Sequence, residues 1–252
     1  MGHGDCQVLT ATVMPTLLIR FCAPMQSWGT QSRFLVRDTG LEPSKSGVIG
    51  LICAALGKPR DERPGDSPSL AQLTALKMGV RADRPGTVRL EYQTAGGTHR
   101  PGEEYGVARA DGSRPGPVVS RRYYLADAEF LVGLEGPSEL LRMIVGALAS
   151  PRWQIFMGRK SHVPSAPLLL PESAPWLGGW REGALADGLA ACPWLGQLDR
   201  AWRYREPPSP LRIVIDDSSG SETRRDVPLS FSPRRFALRR VRTGWVSLTE
   251  VT

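Results

Sequence analysis

The chain has 252 residues, enough for one large domain or two small ones with a buried core, so size requires no disulfide or metal staple. Lys and Arg total 32 against 25 Asp and Glu, with Arg far in excess of Lys; this favours anionic partners, although GC-rich coding alone yields the same bias. The scattered cysteines Cys6, Cys22, Cys53 and Cys192, the lone histidines His3, His99 and His162, and the lack of any apolar run near the ~20 residues that cross a bilayer exclude a disulfide framework, a recognisable zinc site and a transmembrane helix.

With no signal-peptide pattern, the expectation is a cytoplasmic protein without membrane, metal or cofactor. Residues 1–13 carry little pattern and read as an extension. From there Leu17, Ile19 and Phe21 alternate with Leu18, Arg20 and Cys22, which predicts a half-buried strand over 15–22. A polar loop, 23–43, follows.

Ser44 can cap a helix over 45–56, whose Val48, Ile52, Ala55 and Leu56 share a face; Gly57 and Pro59 stop it. Residues 73–80 and 88–92 read as strands. The stretch 96–117 is dense in Gly, Pro and Arg, and a loop of that length inside a domain is usually functional or disordered. Alternation returns through Ala128, Phe130, Val132 and Leu134.

Pro137 then opens an amphipathic helix carrying Leu141, Ile144, Val145 and Leu148, and Pro151 ends it. With a short strand at 154–157, the order is β-α-β-β-α-β, the ferredoxin-like arrangement, which often binds RNA on its sheet. From Pro164 onward the chain is rich in Pro and Gly, with strands expected at 211–215, near Phe231 and at 241–248.

Five clusters carry candidate chemistry. Gln26 and Trp28 follow the first strand, where a base can stack and hydrogen-bond, or where the indole plugs the core. Ser44 and Lys45 stand at a helix start, which suits a phosphate or simply a cap with a solvated lysine. The same segment is not a Walker A loop, because Ser44 occupies the place of the glycine before the Lys.

Arg109, Arg114, Arg121 and Arg122 lie in or beside the long loop with Tyr123 and Tyr124, a pattern that tracks a nucleic-acid backbone or forms a solvated hairpin. Arg152, Arg159 and Lys160 bracket an apolar segment with a Gly-Arg-Lys turn, where glycine permits close backbone approach. Arg234, Arg235, Arg239 and Arg240 surround Phe236, a run that reads as a solvated face.

The segments LLIRFCAPMQSWG, SKSGVIGLICAALG, SRRYYLADAEFLVGL, SPRWQIFMGRKSHVPSAPL and RRFALRRV, in that order, resemble the CasD family, the RAMP-superfamily subunit of the subtype I-E CRISPR Cascade complex. The resemblance implies an α+β fold: a ferredoxin-like (RRM-like) domain over 14–163, an inserted β-hairpin thumb at about 96–117, and a β-rich C-terminal extension over 164–252. It further implies a non-catalytic protein that caps the 5′ handle of CRISPR RNA and contacts the backbone subunit and the large subunit, which reads target DNA. The implied handle-binding residues are Gln26, Trp28, Ser44, Lys45, Arg121, Arg122, Arg152, Arg159 and Lys160, with Arg109 and Arg114 in the thumb.

Two alternatives stand beside it. A metal-independent endoribonuclease for CRISPR repeats would need His99 or His162 with Tyr123 or Lys160 as acid and base. A general single-strand RNA-binding module would use the same basic and stacking residues without preference among RNAs.

Overall fold

The first strand of the chain has two apolar faces, and both are covered. The computed structural model describes residues 14–32, 35–63, 65–97, 106–108, 112, 116–198 and 209–248. In chain order the elements are β1 (Thr16–Gln26), β2 (Val36–Arg37), α1 (Lys45–Leu56), α2 (Leu70–Ala75), β3 (Lys77–Arg84), β4 (Thr87–Ala95) and β5 (Val118–Glu135). They continue with α3 (Ser138–Ala149), β6 (Trp180–Arg181), α4 (Leu185–Ala191), β7 (Leu211–Asp216), β8 (Glu222–Phe231) and β9 (Arg234–Val246).

The strands form one mixed sheet in the order β6-β1-β5-β3-β7-β9-β8, antiparallel at every neighbour, with β2 and β4 also paired to β5. Strand β5 is 18 residues long and serves two partners in succession: its first half pairs with β4 as a hairpin, its second half lies between β1 and β3. Period-two alternation sends Leu17, Ile19 and Phe21 of β1, with Phe130, Val132 and Leu134 of β5, into a core beneath α1, α2 and α3. Leu18 and Leu131 point the other way, into a second core closed by Leu170, Trp176, Leu185, Leu189 and Leu195.

An RNA-binding face on an open sheet, as the ferredoxin-like reading suggested, is therefore closed off over β1, β5 and β3. A buried ion pair holds the cover. Arg81 and Asp83 are fully buried; Arg81 binds Asp83 through Nε and Nη2 at 2.7 Å and donates to the carbonyls of Leu189, Cys192 and Pro193. Asp83 in turn accepts from Leu195 N–H at 2.8 Å, so the pair leaves few polar atoms unmet.

Two expected strands differ from what forms. Residues 73–80 begin as the end of α2, because Ser69 and Gln72 make a reciprocal capping box that starts a helix before β3. No strand forms at 154–157. There the N–H groups of Arg152 and Trp153 close the C-terminus of α1 on Ala55 and Ala54 carbonyls at 2.9 and 3.1 Å, and Met157 accepts from Ser27 N–H at 3.0 Å. The place beside β1 is taken by β6 and by an Ile19–Leu169 bridge.

The tail joins the same sheet and is locked to α1 by charge. Asp226 of β8 receives Arg239 of β9 through two hydrogen bonds of 2.7 and 2.8 Å and accepts the Lys45 N–H at 2.8 Å. Asp216 of β7 takes Lys45 Nζ at 2.8 Å, Met78 N–H at 2.9 Å and a second arm of Arg239. Burial alone would raise the Asp226 carboxyl, but Arg239 holds it below its ordinary range; burial would likewise lower Arg239, and the two aspartates hold it above. Asp226→Ala, which leaves Arg239 and the first turn of α1 without their anion, is expected to cost about 3–5 kcal/mol in urea unfolding followed by tryptophan fluorescence. Lys77→Ala, at an exposed 3.9 Å pair with Glu135, is expected to cost less than about 1 kcal/mol.

Candidate functional site

Ser27, Trp28 and Gly29 leave the end of β1, and the capped N-terminus of α1 arrives beside them because Gly47 lies against the indole: a Cβ there would sit 2.8 Å from the ring. Gly158, at φ 95°, brings the Gly-Arg-Lys turn in from the other side, so close that any side chain would overlap the Ser27 carbonyl. These contacts assemble a groove of about 480 Å³ from the first loop, the start of α1, the turn at Phe156 to Lys160, and the β8–β9 hairpin.

Within it the expected residues divide. Trp28 and Ser44 line the wall and Lys160 stands exposed at the rim. Trp28 is 2 % exposed, stacks on Phe21 at 5.7 Å between centroids and donates Nε1–H to Gln26 Oε1, so its broad face serves the core. Gln26 is buried, its amide donating to Phe21 and Ala128 carbonyls at 3.2 and 2.7 Å.

The anion expected at Ser44 and Lys45 is the protein's own. Ser44 accepts from Gly47 N–H, as a cap does, while Asp226 occupies the helix N-terminus and Asp216 neutralises the buried lysine. A free phosphate at Lys45 is excluded by those carboxylates.

Arg159 braces the hairpin. Its Nη2 donates to the Tyr123 carbonyl at 2.9 Å, and Nη1 lies 3.7 Å from Glu91 of β4. Arg121 is exposed on β5 with its guanidinium 5.9 Å from the Tyr92 ring, and Arg122 Nε donates to Ser120 Oγ. Arg152 is exposed and packs across Gly57 at the end of α1. Arg109, Arg114, His99 and the tip of the insertion lie outside the described residues.

The groove also holds residues that sequence patterning did not select. Arg60 follows α1, and Phe231, Arg234 and Phe236 come from the tail hairpin. Of these, Arg234 and Phe236 belong to the basic run that reads in sequence as a solvated face, whereas Arg60 and Phe231 carry no sequence signal for a site. Lys58 also lines the groove but is neutralised by Glu62 and Asp66 at 2.8 and 3.7 Å.

Arg60, Lys160 and Arg234 are exposed with no ion pair among the described residues, and among those residues no carboxylate lines the groove, Glu62 and Asp66 being engaged by Lys58. The arrangement suits an anion with apolar or aromatic parts. Among the described residues no group of His, Cys, Asp and Glu is placed to hold a metal, and no helix is long and apolar enough to cross a membrane.

A model of the family described as CRISPR-associated protein (Cas_Cas5) matches residues 16–242. The chain is 31% identical over 166 residues to the CRISPR system Cascade subunit CasD of Escherichia coli (strain K12), covering 61% of this chain and 69% of that protein. A crystal structure of a Cas protein matches with TM-score 0.68 and 39% identity, over 92% of this chain and 94% of that one. A chain of a CRISPR RNA-guided surveillance complex matches with TM-score 0.69 and 31% identity, over 92% and 90% respectively.

His162 closes the Gly-Arg-Lys turn through its backbone bonds to Met157 and Arg159, and its side chain is buried, 1% exposed, with neither ring nitrogen hydrogen-bonded, beside the Tyr124 ring and near Arg159 and Glu91. Burial lowers its pKa from 6.5, and the Arg159 charge lowers it further against the Glu91 carboxylate. The unfolded chain therefore binds a proton that the folded chain refuses. Stability is expected to fall as pH drops below about 6.5, levelling off once the folded ring also protonates. Melting temperatures from pH 8 to pH 5 check this: the slope between pH 6.5 and 5 should be shallower in His162→Leu than in the parent.

Proposed function

The chain belongs to the CRISPR-associated Cas5 family, and on that premise we propose that it is the subunit of a type I-E Cascade surveillance complex that binds and caps the 5′ handle of CRISPR RNA. The observation that carries this reading is the groove: segments far apart in the chain meet there, and among the described residues three cations without ion pairs rim a wall that no Asp or Glu lines. Phosphates supply the missing counter-charge, and unstacked bases suit the aromatic wall.

In this reading Lys160, Arg152, Arg121 and Arg122 face the RNA, with Trp28 and Ser44 lining its path, while Gln26, Lys45 and Arg159 hold that surface in place. Arg109 and Arg114 belong to the insertion that in this reading acts as the thumb toward the neighbouring backbone subunit. The antiparallel order β6-β1-β5-β3, with α1 and α3 in the connections, is compatible with a ferredoxin-like domain. The large subunit and, through it, target DNA are the remaining partners, in a cytoplasmic complex.

The protein acts by binding and not by cleavage. A general base must reach the proton that it abstracts, and His162 is buried with its charged form disfavoured. The reading is tested by incubating the full chain with labelled repeat RNA and with a scrambled control in the absence of divalent metal. Preferential retention of the repeat RNA without scission is expected; equal retention points to a general RNA-binding module, and scission lost on His99→Ala or His162→Ala overturns the non-catalytic role. Lys160→Ala and Arg60→Ala should each reduce the slope of log affinity against log salt by about 0.7, the value for one phosphate contact to a single strand. An unchanged slope in both would remove the groove from the RNA path.

A further inference from the structure

The tail hairpin has a role that strand formation alone does not require. Register places Phe231 directly opposite Arg234, and Phe236 follows two residues later on the same face. That face turns toward α1, where the ring of Phe231 reaches to within 3.9 Å of a Cβ built at Gly50. Across the groove stands Trp153, 49% exposed at the end of a segment whose backbone closes α1. A half-exposed indole, the rings of Phe231, Phe236 and Phe156, and a helix face kept bare by glycine thus bound one space, and Arg234 lies at its mouth.

Its volume of about 480 Å³ falls within the range of about 300–1,000 Å³ that encloses a small ligand. A continuous stacked helix does not fit between such walls, whereas a single unstacked base presents two π faces to them and leaves its phosphates outside. An acidic peptide would satisfy the rim cations but would leave the rings without a planar partner.

We infer that the β8–β9 hairpin converts the groove into a pocket for one extruded nucleobase of the bound RNA, with Phe236 and Trp153 as stacking walls and Arg234 on the adjoining phosphate. The inference rests on the RNA-binding reading and deepens it, because it assigns to the tail a part in recognition. Base and phosphate act separately: the rings take any base, and the arginine sets where the strand turns.

The test uses the full chain and handle RNA carrying single abasic substitutions at successive positions. At one position, loss of the base should weaken binding roughly 5- to 160-fold, the effect of one base–aromatic stack. Phe236→Ala should give the same loss with intact RNA, and no further loss with the abasic RNA at that position. Gly50→Ala adds a methyl that meets Phe231 at 3.9 Å while improving helix propensity, so it should keep the parent's melting temperature and, by narrowing the groove, still lose affinity. Neutral abasic substitutions at every position, with handle preference intact, would overturn the pocket and leave the RNA reading standing. Wild-type chain that retains handle and scrambled RNA equally would remove the reading itself, and the pocket with it.

Discussion

Asp226 is the group on which the candidate site depends. Its carboxylate grips Arg239 with both oxygens and simultaneously accepts the first N–H of α1, while Asp216 holds the Lys45 ammonium and a further arm of the same arginine. Buried charges persist only when each is matched, so these four side chains tie α1, β7, β8 and β9 into one arrangement. The consequence reaches the loop before α1, where Glu42 is held by Arg212 of β7 and Arg224 of β8. The surface beside Trp28 is thus positioned from the tail, some 180 residues later in the chain.

A second constraint, the pair Arg81–Asp83, decides where ligands cannot go. By seating the segment around α4 on the second face of the sheet, it removes the open β-surface that single-sheet RNA binders use. On the proposed reading, binding falls at the rim of the fold, where loops and helix ends meet. Such positions expose cations without the cost of burying them, which is why Arg60, Lys160 and Arg234 remain unpaired among the described residues while the interior arginines are matched.

Local signals in the sequence were sound at α1, β1 and β5, where the physics was local. The start of α1 at Lys45 and its end at Gly57 follow from a serine cap and a left-handed glycine, both of which act within a few residues. The alternation in β1 and β5 follows from the period of a strand. The reading failed where a partner distant in sequence intervened: 154–157 lost its strand because its neighbouring amides close α1, and the phosphate suited to Ser44 and Lys45 was replaced by carboxylates from β7 and β8. At 73–80 the missed signal was local, the Ser69–Gln72 capping box.

The basic, metal-poor composition, the ordered segments and the helix caps are properties of short stretches of chain, so the sequence alone determined the family resemblance and the elements that bear its motifs. Which cations are available is a different kind of property. Lys45 and Lys160 are both lysines beside serines, yet one is buried against Asp216 and the other is exposed at the groove with no ion pair among the described residues, because only folding brings the aspartate within 2.8 Å. The same holds for Phe231 and Arg234, drawn into the groove by the register of a hairpin whose placement the β7 and β9 ladder sets.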